Sequence, residues 1–311
     1  MSAPRMAVSA GGLGLKNPVL AASGTFGYGQ EYAPYLDPGA IGGLVTKGLS
    51  LRPRPGNPPP RIVETAGGML NAIGLANLGL DEFLETKLPW LARQQTAVVV
   101  NLYGESQEEF AELAARLSQA PGVAALELNV SCPNVKAGGM AFGCDPGAVG
   151  RVTRAAVAAA GQVPVWVKLT PNVADPTPMA LAAAEAGAAA VCLINTLLGL
   201  AIDAQRRRPV LANVVGGLSG PAIKPVGLRM VWQAARALRQ SHPQVDVVGI
   251  GGIMSGVDAA EYLIAGARAV QVGTANFARP GAAGRVAAEL EAFCREQGLA
   301  DVSELVGALK C

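Results

Sequence analysis

The stretch VAALELNVSCPN, residues Val123–Asn134, decides how the fold is interpreted. It opens with an apolar run of strand-forming residues, and Pro133 ends that run near Cys132 because proline has no N–H for a sheet ladder. The strand thus brings a thiol and the amides of Asn129 and Asn134 to its carboxyl end. In α/β folds that end is where ligands bind. Taken alone, the segment also fits a small buried cysteine that closes a strand.

The same order of apolar run, polar or glycine loop and helical stretch recurs along the chain. The runs predict strands at Pro18–Ala22, Ile41–Thr46, Ala97–Leu102, Val123–Val130, Val163–Leu169, Ala189–Ile194, Val245–Ile250 and Ala269–Val272. Helical periodicity predicts helices at Ser106–Leu117, Pro146–Ala160, Pro178–Ala186, Gly227–Leu238 and Val257–Ala265. Eight parallel strands alternating with helices predict a (β/α)8 TIM barrel of the α/β class, with a doubly wound open sheet as the alternative.

Three segments lie outside this repeat. Residues 6–15 alternate around Gly11 and Gly12, which predicts a small N-terminal β-hairpin. Loop excursions at residues 48–80 and 196–220 both follow strand ends, so we expect them over the C-terminal face of the barrel. The prolines of the first excursion make it a rigid crossing rather than a linker, and residues 1–311 are predicted to form a single domain.

Composition excludes several classes of protein. The chain has 311 residues, of which 50% are hydrophobic and 15% charged, so it can bury a large core. A net charge of +2 provides no electrostatic footprint for nucleic acid. No apolar run approaches the ~20 residues of a membrane span, and no secretory signal opens the chain. Five cysteines without CxxC spacing suggest neither disulfides nor a metal site, so we expect a cytoplasmic protein.

Every predicted strand ends in a polar residue or a glycine, which a bare core would not require. These ends are Ser23-Gly24-Thr25, Lys47-Gly48, Asn101, Asn129 with Cys132, Lys168, Asn195-Thr196, Gly251-Gly252 and Gly273-Thr274. Buried lysines are costly unless something anionic meets them, and paired glycines after the last two strands suit a phosphate. Taken singly, a lysine could instead extend to the surface and a glycine pair could form a tight turn.

Few side chains could transfer a proton at this face. The one histidine, His242, precedes Pro243 in a helix-to-strand connection at the opposite end of the barrel, so we interpret it as structural. Glu127 lies within the fourth predicted strand, where alternation could point it inward, and we interpret it as a satisfied structural carboxylate. Cys132 is the candidate general base, because a thiol with a pKa near ~8.5 can accept a proton from a carbon acid.

Nine segments of the chain, taken in order, resemble class 1 dihydroorotate dehydrogenases. They are NPVLAASGTFGYGQEY, TKGLS, NAIGLAN, LELNVSCPN, VKLTPN, INTLLGLAID, GGLSGPAIKP, GIGGI and VGTANF. The resemblance implies an FMN-carrying barrel that oxidises dihydroorotate to orotate in pyrimidine biosynthesis, with Cys132 as proton acceptor. Class 2 members have serine at this position and a membrane-associating N-terminal extension, neither of which this chain has.

The resemblance also implies two sets of contacts. Those to FMN would come from Ser23, Lys47, Gly48, Asn101, Asn129, Lys168, Ile194, Gly220, Gly251, Gly252, Gly273 and Thr274. Those to dihydroorotate would come from Lys47, Asn71, Ala72, Ile73, Gly74, Leu75, Asn129, Asn195 and Thr196. Lys168 is suited to stabilise negative charge on the reduced flavin.

The segment from Asn195 to Pro225 resembles the 1B form, which works with a separate subunit carrying FAD and a 2Fe–2S cluster and passes electrons to NAD+. The resemblance implies a heterotetramer built on a dimer of this chain. The fumarate-using 1A form, a flavin pyrimidine reductase and a flavin-binding barrel without turnover are the alternatives. Cys144 is a second thiol in the glycine-rich loop. Arg206 to Arg208 fit a solvated basic loop, with contact to the partner subunit as the alternative.

Overall fold

Parallel strands close into an eight-stranded barrel in the computed structural model, which describes residues 3–131 and 142–310. The strands are β1 Val8–Ala10, β2 Leu13–Leu15, β3 Val19–Ala21, β4 Gly43–Val45, β5 Ile62–Thr65, β6 Gly68–Asn71, β7 Ala97–Leu102, β8 Ala125–Asn129, β9 Val165–Lys168, β10 Ala190–Leu193, β11 Leu197–Leu200, β12 Ile202–Asp203, β13 Arg208–Pro209, β14 Val215–Ser219, β15 Asp246–Ile250 and β16 Ala269–Val272. The barrel order is β3-β4-β7-β8-β9-β10-β15-β16, and β16 pairs with β3 to close it.

Helices surround the barrel. They are α1 Leu80–Glu82, α2 Leu88–Leu91, α3 Gln107–Ser118, α4 Pro146–Ala160, α5 Thr177–Glu185, α6 Lys224–Ser241, α7 Gly256–Ile264, α8 Ala275–Ala278 and α9 Ala282–Glu296. A π-helical segment, Phe83–Lys87, joins α1 to α2, and short 3-10 turns lie at Gln30–Tyr32, Pro38–Ala40, Phe142–Cys144, Pro221–Ile223 and Val302–Leu305. Within the described residues, none of the helices is both long and apolar enough to cross a membrane.

The barrel prediction is confirmed, and the open-sheet alternative is wrong. Each of the eight predicted strands contains one strand of the closed barrel. Helix α3 begins one residue after its predicted start because Ser106 is its N-cap and accepts a hydrogen bond from the Glu109 N–H. Helix α6 extends past both predicted ends, since Pro225 is tolerated in a first turn and Pro243 follows its C-cap, His242.

The predicted hairpin is confirmed as strands β1 and β2, which cover the amino-terminal end of the barrel. Trp166, buried at the start of β9, donates its indole N–H to the Gly11 carbonyl at 2.8 Å. The Gly11 N–H donates in turn to Asp246, the first residue of β15, at 2.8 Å. Gly11 has a φ of +56°, and a Cβ there would collide with the Trp166 indole. With this end plugged, the barrel opens at the carboxyl ends of its strands.

The two excursions form one small antiparallel sheet, which the sequence analysis did not predict. Its order is β11-β14-β6-β5, and β6 from the first excursion pairs with β14 from the second, with Leu70 opposite Leu218. The prediction that both excursions lie over the C-terminal face is confirmed, because residues of both line a cavity together with the barrel strand ends. Pairing between the excursions fixes the roof of that cavity.

Candidate active site

A cavity of about 510 Å³ opens at the carboxyl ends of the barrel strands. Every binding residue that the sequence analysis singled out within the described chain lines it. From the barrel these are Ser23, Lys47, Gly48, Asn101, Asn129, Lys168, Ile194, Asn195, Thr196, Gly251, Gly252, Gly273 and Thr274, and from the excursions Asn71, Ala72, Ile73, Gly74, Leu75 and Gly220. Segments from Ser23 near the start of the chain to Thr274 near its end therefore converge on one pocket.

Polar side chains from neighbouring strands form the floor of this cavity. Asn101 on β7 lies directly opposite Glu127 on β8, and its amide donates to the Glu127 carboxylate at 2.7 Å. Lys168 on β9 lies opposite Asn129 and is 3.8 Å from Glu127, measured from ammonium nitrogen to carboxylate oxygen. Glu127 is fully buried, which confirms that it faces the barrel interior and that its carboxylate is satisfied. The floor thus presents one cation and two amides to the cavity.

A hydrogen-bonded cluster of small polar groups lines one wall. The Asn195 amide donates to the Ser131 hydroxyl at 2.7 Å and to the Asn129 side-chain carbonyl at 3.3 Å. The Ser131 hydroxyl donates to the same Asn129 carbonyl at 2.8 Å. Both acceptor positions of that carbonyl are therefore used, and the Asn129 amide N–H groups remain to contact a ligand.

Lys47 places a second cation on the cavity wall. Its side chain is half-buried, and within the described chain its ammonium group has no hydrogen-bond or ion-pair partner. Burial lowers the pKa of Lys47, and the nearby Arg61 guanidinium lowers it further. A desolvated ammonium without a counter-ion is costly, so this position favours an anionic ligand.

Glycines shape the far side of the cavity. Gly220, Gly251 and Gly252 have φ values of +101°, +121° and +68°, conformations that other residues rarely adopt. A Cβ on Gly252 would lie 2.7 Å from the Cβ of Lys224, so the backbone must stay bare there. A Cβ on Gly273 would have no protein atom closer than 3.6 Å, which leaves its backbone open to the cavity. Together with the hydroxyl of Thr274, these bare backbone groups fit the phosphate of a flavin mononucleotide.

The candidate base Cys132 lies outside the described residues. Ser131, immediately before it, is buried and lines the cavity, so the chain reaches the cavity wall at that point. Cys144, the other thiol of the glycine-rich segment, is exposed. Arg206, Arg207 and Arg208 are also exposed, as both a solvated basic loop and a contact with the partner subunit require.

Asn172 lines the cavity but was not among the predicted binding residues. Its amide donates to the Thr196 carbonyl at 3.2 Å, and its side-chain carbonyl accepts from the Leu198 N–H at 2.9 Å. Asn172 therefore ties the loop after β9 to the start of β11. The sequence holds a signal for this residue, because Asn172 ends the VKLTPN segment, in which Lys168 is the one predicted contact.

The family model described as "Dihydroorotate dehydrogenase" matches residues 5–294. The chain belongs to the dihydroorotate dehydrogenase family. The match spans the whole barrel, from the hairpin through most of α9, so it includes every strand that contributes to the cavity.

Full-length relatives in this family support the narrower assignment. The chain is 58% identical over 310 residues to a protein of Geobacter sulfurreducens, covering 100% of both chains. It is 59% identical over 308 residues to one of Pelobacter propionicus and over 307 residues to one of Trichlorobacter lovleyi, with 99% of both chains covered in each case. All three are named "Dihydroorotate dehydrogenase B (NAD(+)), catalytic subunit". The resemblance to the 1B form is thereby confirmed.

Proposed function

We propose that the chain is the catalytic subunit of an NAD+-linked dihydroorotate dehydrogenase, which binds FMN and oxidises (S)-dihydroorotate to orotate in de novo pyrimidine biosynthesis. The observation that carries the proposal is the convergence of all described candidate residues on a single cavity. Family membership and full-length relatives of the B form support it.

FMN would occupy the deeper part of the cavity. Its phosphate would lie against the backbone of Gly251, Gly252 and Gly273 and the hydroxyl of Thr274, where a bare backbone provides N–H donors. Asn101, Asn129 and Lys168 on the floor would hold the ring, together with the other predicted contacts: Ser23, Lys47, Gly48, Ile194 and Gly220. When bound, FMN supplies the hydride acceptor for C6 of dihydroorotate.

Dihydroorotate would lie between the floor and the excursions. The ammonium of Lys47, which has no partner among the described residues, would meet the substrate carboxylate, and this contact removes the cost of burying that cation alone. Asn71 to Leu75 on and after β6 would surround the pyrimidine ring with backbone and amide groups. Asn129, Asn195 and Thr196 would complete the set from the opposite wall, where they are held by the hydrogen bonds described above.

Cys132 would act as the general base. The thiolate would take the C5 proton of dihydroorotate while the C6 hydride leaves, so that a C5=C6 double bond forms in orotate. Support comes from the sequence, where Cys132 follows Ser131, a residue of the cavity wall. Exposure of Cys144 makes that thiol a poorer candidate.

Electrons would leave the chain through a second protein. We propose a partner subunit that carries FAD and a 2Fe–2S cluster, in a heterotetramer built on a dimer of this chain, with the cytoplasm as its location. The names of the relatives, which call each a catalytic subunit, support a separate partner. The cysteine spacings of this sequence suit no iron–sulfur cluster, so that cofactor is assigned to the partner.

A reconstitution experiment tests the proposal. The purified chain is loaded with FMN and given dihydroorotate and NAD+, with and without the FAD and iron–sulfur subunit, and NADH formation is followed. We expect NADH only with both proteins present, and none when Cys132→Ala replaces the wild-type chain. Rapid NAD+ reduction by the isolated chain would contradict the proposed division of labour, and efficient fumarate reduction by it would point to the 1A form.

A further inference from the structure

Glu127 and Lys168 are the only charged side chains that are buried within the described residues. The Glu127 carboxylate accepts from the Asn101 amide at 2.7 Å and from the Gln271 amide at 2.6 Å. Gln271 lies on β16, across the barrel from β8, so the carboxylate is held near the barrel axis from two sides. Both of its oxygens have neutral amide donors.

Lys168 completes the arrangement from above. Its ammonium lies 3.8 Å from the nearer Glu127 oxygen, beyond hydrogen-bond distance, and its side chain also lines the cavity. In the barrel register, Glu127 pairs with Trp166, whereas Lys168 pairs with Asn129 two residues further along. The carboxylate therefore lies one layer below the ammonium, on the side away from the cavity.

Stability alone does not account for this pair. A buried ion pair is often no more stabilising than apolar side chains of the same volume, because both charges lose their hydration. The interior of a barrel is normally filled by branched apolar side chains. Here a carboxyl group that accepts from two amides lies directly behind a lysine whose other side faces the cavity.

We propose that Glu127 is a positioning residue that sets the reduction potential of the bound flavin by offsetting the charge of Lys168. This rests on the proposed function, because it requires FMN above Lys168. A lone buried cation would strongly favour the negatively charged reduced flavin over the neutral oxidised form. With Glu127 behind it, Lys168 exerts a weaker field on the cavity, so the reduced flavin remains a good electron donor.

Among the described groups of this network, Glu127 is the one that can offset the charge of Lys168. The thiol of Cys192 is fully buried beside the Gln271 amide, at 3.9 Å. Burial raises the pKa of Cys192 well above its usual value, and the Glu127 carboxylate adds to the rise. Cys192 is therefore neutral at physiological pH. Asn101 and Gln271 carry no charge, so the removal of Glu127 would leave Lys168 without a counter-ion in this network.

The test is the midpoint potential of bound FMN in Glu127→Gln, measured by anaerobic titration against a reference dye. Removing the carboxylate charge should raise the potential, shifting the equilibrium toward reduced flavin at least tenfold, or about 30 mV for a two-electron couple. Gln271→Met is the matched control, because it removes a hydrogen bond from the same carboxylate but leaves its charge. We expect Gln271→Met to lower the melting temperature and to change that equilibrium less than threefold.

The outcomes separate the inference from the proposed function. Wild-type FMN binding and bleaching by dihydroorotate test the proposed function. If both persist, an unchanged or lowered potential in Glu127→Gln, or an equal rise of the potential in Gln271→Met, would overturn only the role of Glu127. If Glu127→Gln does not take up FMN, infrared difference spectra of the wild-type holoprotein decide. A carboxylate that stays ionised through flavin reduction supports the fixed counter-charge, and a protonated carboxyl band assigned to Glu127 on reduction refutes it.

Discussion

Replacing Gly273 by alanine should weaken FMN binding without harming the fold. Gly273 follows β16 and lines the cavity, and its φ lies outside the left-handed region. An added Cβ would meet only the Cβ of Ala22 at 3.6 Å and a methyl group of Thr25 at 3.7 Å, which are ordinary van der Waals distances. Gly252 is a poorer choice for this test, because its Cβ would collide with Lys224 and its φ is +68°.

The expected magnitude follows from the contacts that a methyl group would displace. Backbone N–H groups that bind a charged phosphate contribute about 1.5–3 kcal/mol each. If the methyl group displaces one such contact, the dissociation constant of FMN should rise by about 10- to 150-fold, at ~1.4 kcal/mol per factor of ten. The apoprotein should gain or lose little, since glycine-to-alanine changes at compatible backbone angles stabilise by only about 0.4–1 kcal/mol.

Fluorescence titration of the apoprotein with FMN measures the affinity, and thermal unfolding measures the stability of the same sample. Gly14→Ala is the matched control, because Gly14 lies in the hairpin at the other end of the barrel and a Cβ there meets nothing within 4 Å. We expect wild-type affinity for Gly14→Ala. If Gly273→Ala also binds FMN as tightly as wild type, the phosphate does not lie at this turn.

Four further tests address other parts of the account. Cys132→Ala should retain FMN yet slow flavin reduction by dihydroorotate ~10²–10⁴-fold. Cys132→Ser should keep a remnant of the activity at high pH. Loss of activity in Cys144→Ala instead would identify the other thiol as the base. Wild-type reduction should accelerate as pH rises toward the ordinary thiol pKa of ~8.5, measured by stopped flow. Lys47→Met should raise KM for dihydroorotate and, by removing a desolvated cation that has no partner among the described residues, raise the melting temperature of the apoprotein. Because burial lowers the pKa of Lys47, wild-type KM should begin to rise with pH below the usual lysine range as the ammonium deprotonates. A KM that stays flat there would exclude Lys47 from substrate binding. Gly11→Ala should cost about 1–3 kcal/mol of unfolding free energy in a denaturant titration, since the Cβ would collide with Trp166, and an unchanged midpoint would mean that the hairpin does not plug the barrel.

The barrel and most of the candidate site could be predicted because both depend on local pattern. Buried parallel strands are continuous apolar runs, and Val98–Val100 on β7 shows no alternation that a half-exposed strand would need. Once eight such strands alternate with helices, their carboxyl ends must meet, so Lys47 and Lys168 could be assigned to one face without knowing any distance.

Features that depend on contacts between distant segments could not be predicted in this way. Strands β6 and β14 are short, and Gly216 and Gly217 in β14 have no side chains to produce an apolar alternation, so only their mutual pairing defines the sheet. The role of Asn172 depends on the position of β11, a strand that the sequence pattern does not predict. The sequence placed Glu127 in the barrel interior, but its partner Gln271 lies 144 residues away on another strand.

Anaerobic mixing of the FMN-loaded, isolated chain with dihydroorotate is the most direct test of the central claim. The account predicts that the visible flavin absorbance bleaches and that one orotate forms per flavin reduced, without any partner subunit. Dihydrouracil and dihydrothymine should not bleach it, because neither carries the carboxylate that Lys47 would meet. A preparation that binds FMN but keeps its full absorbance with dihydroorotate, or that responds equally to the pyrimidines without a carboxylate, would contradict the account.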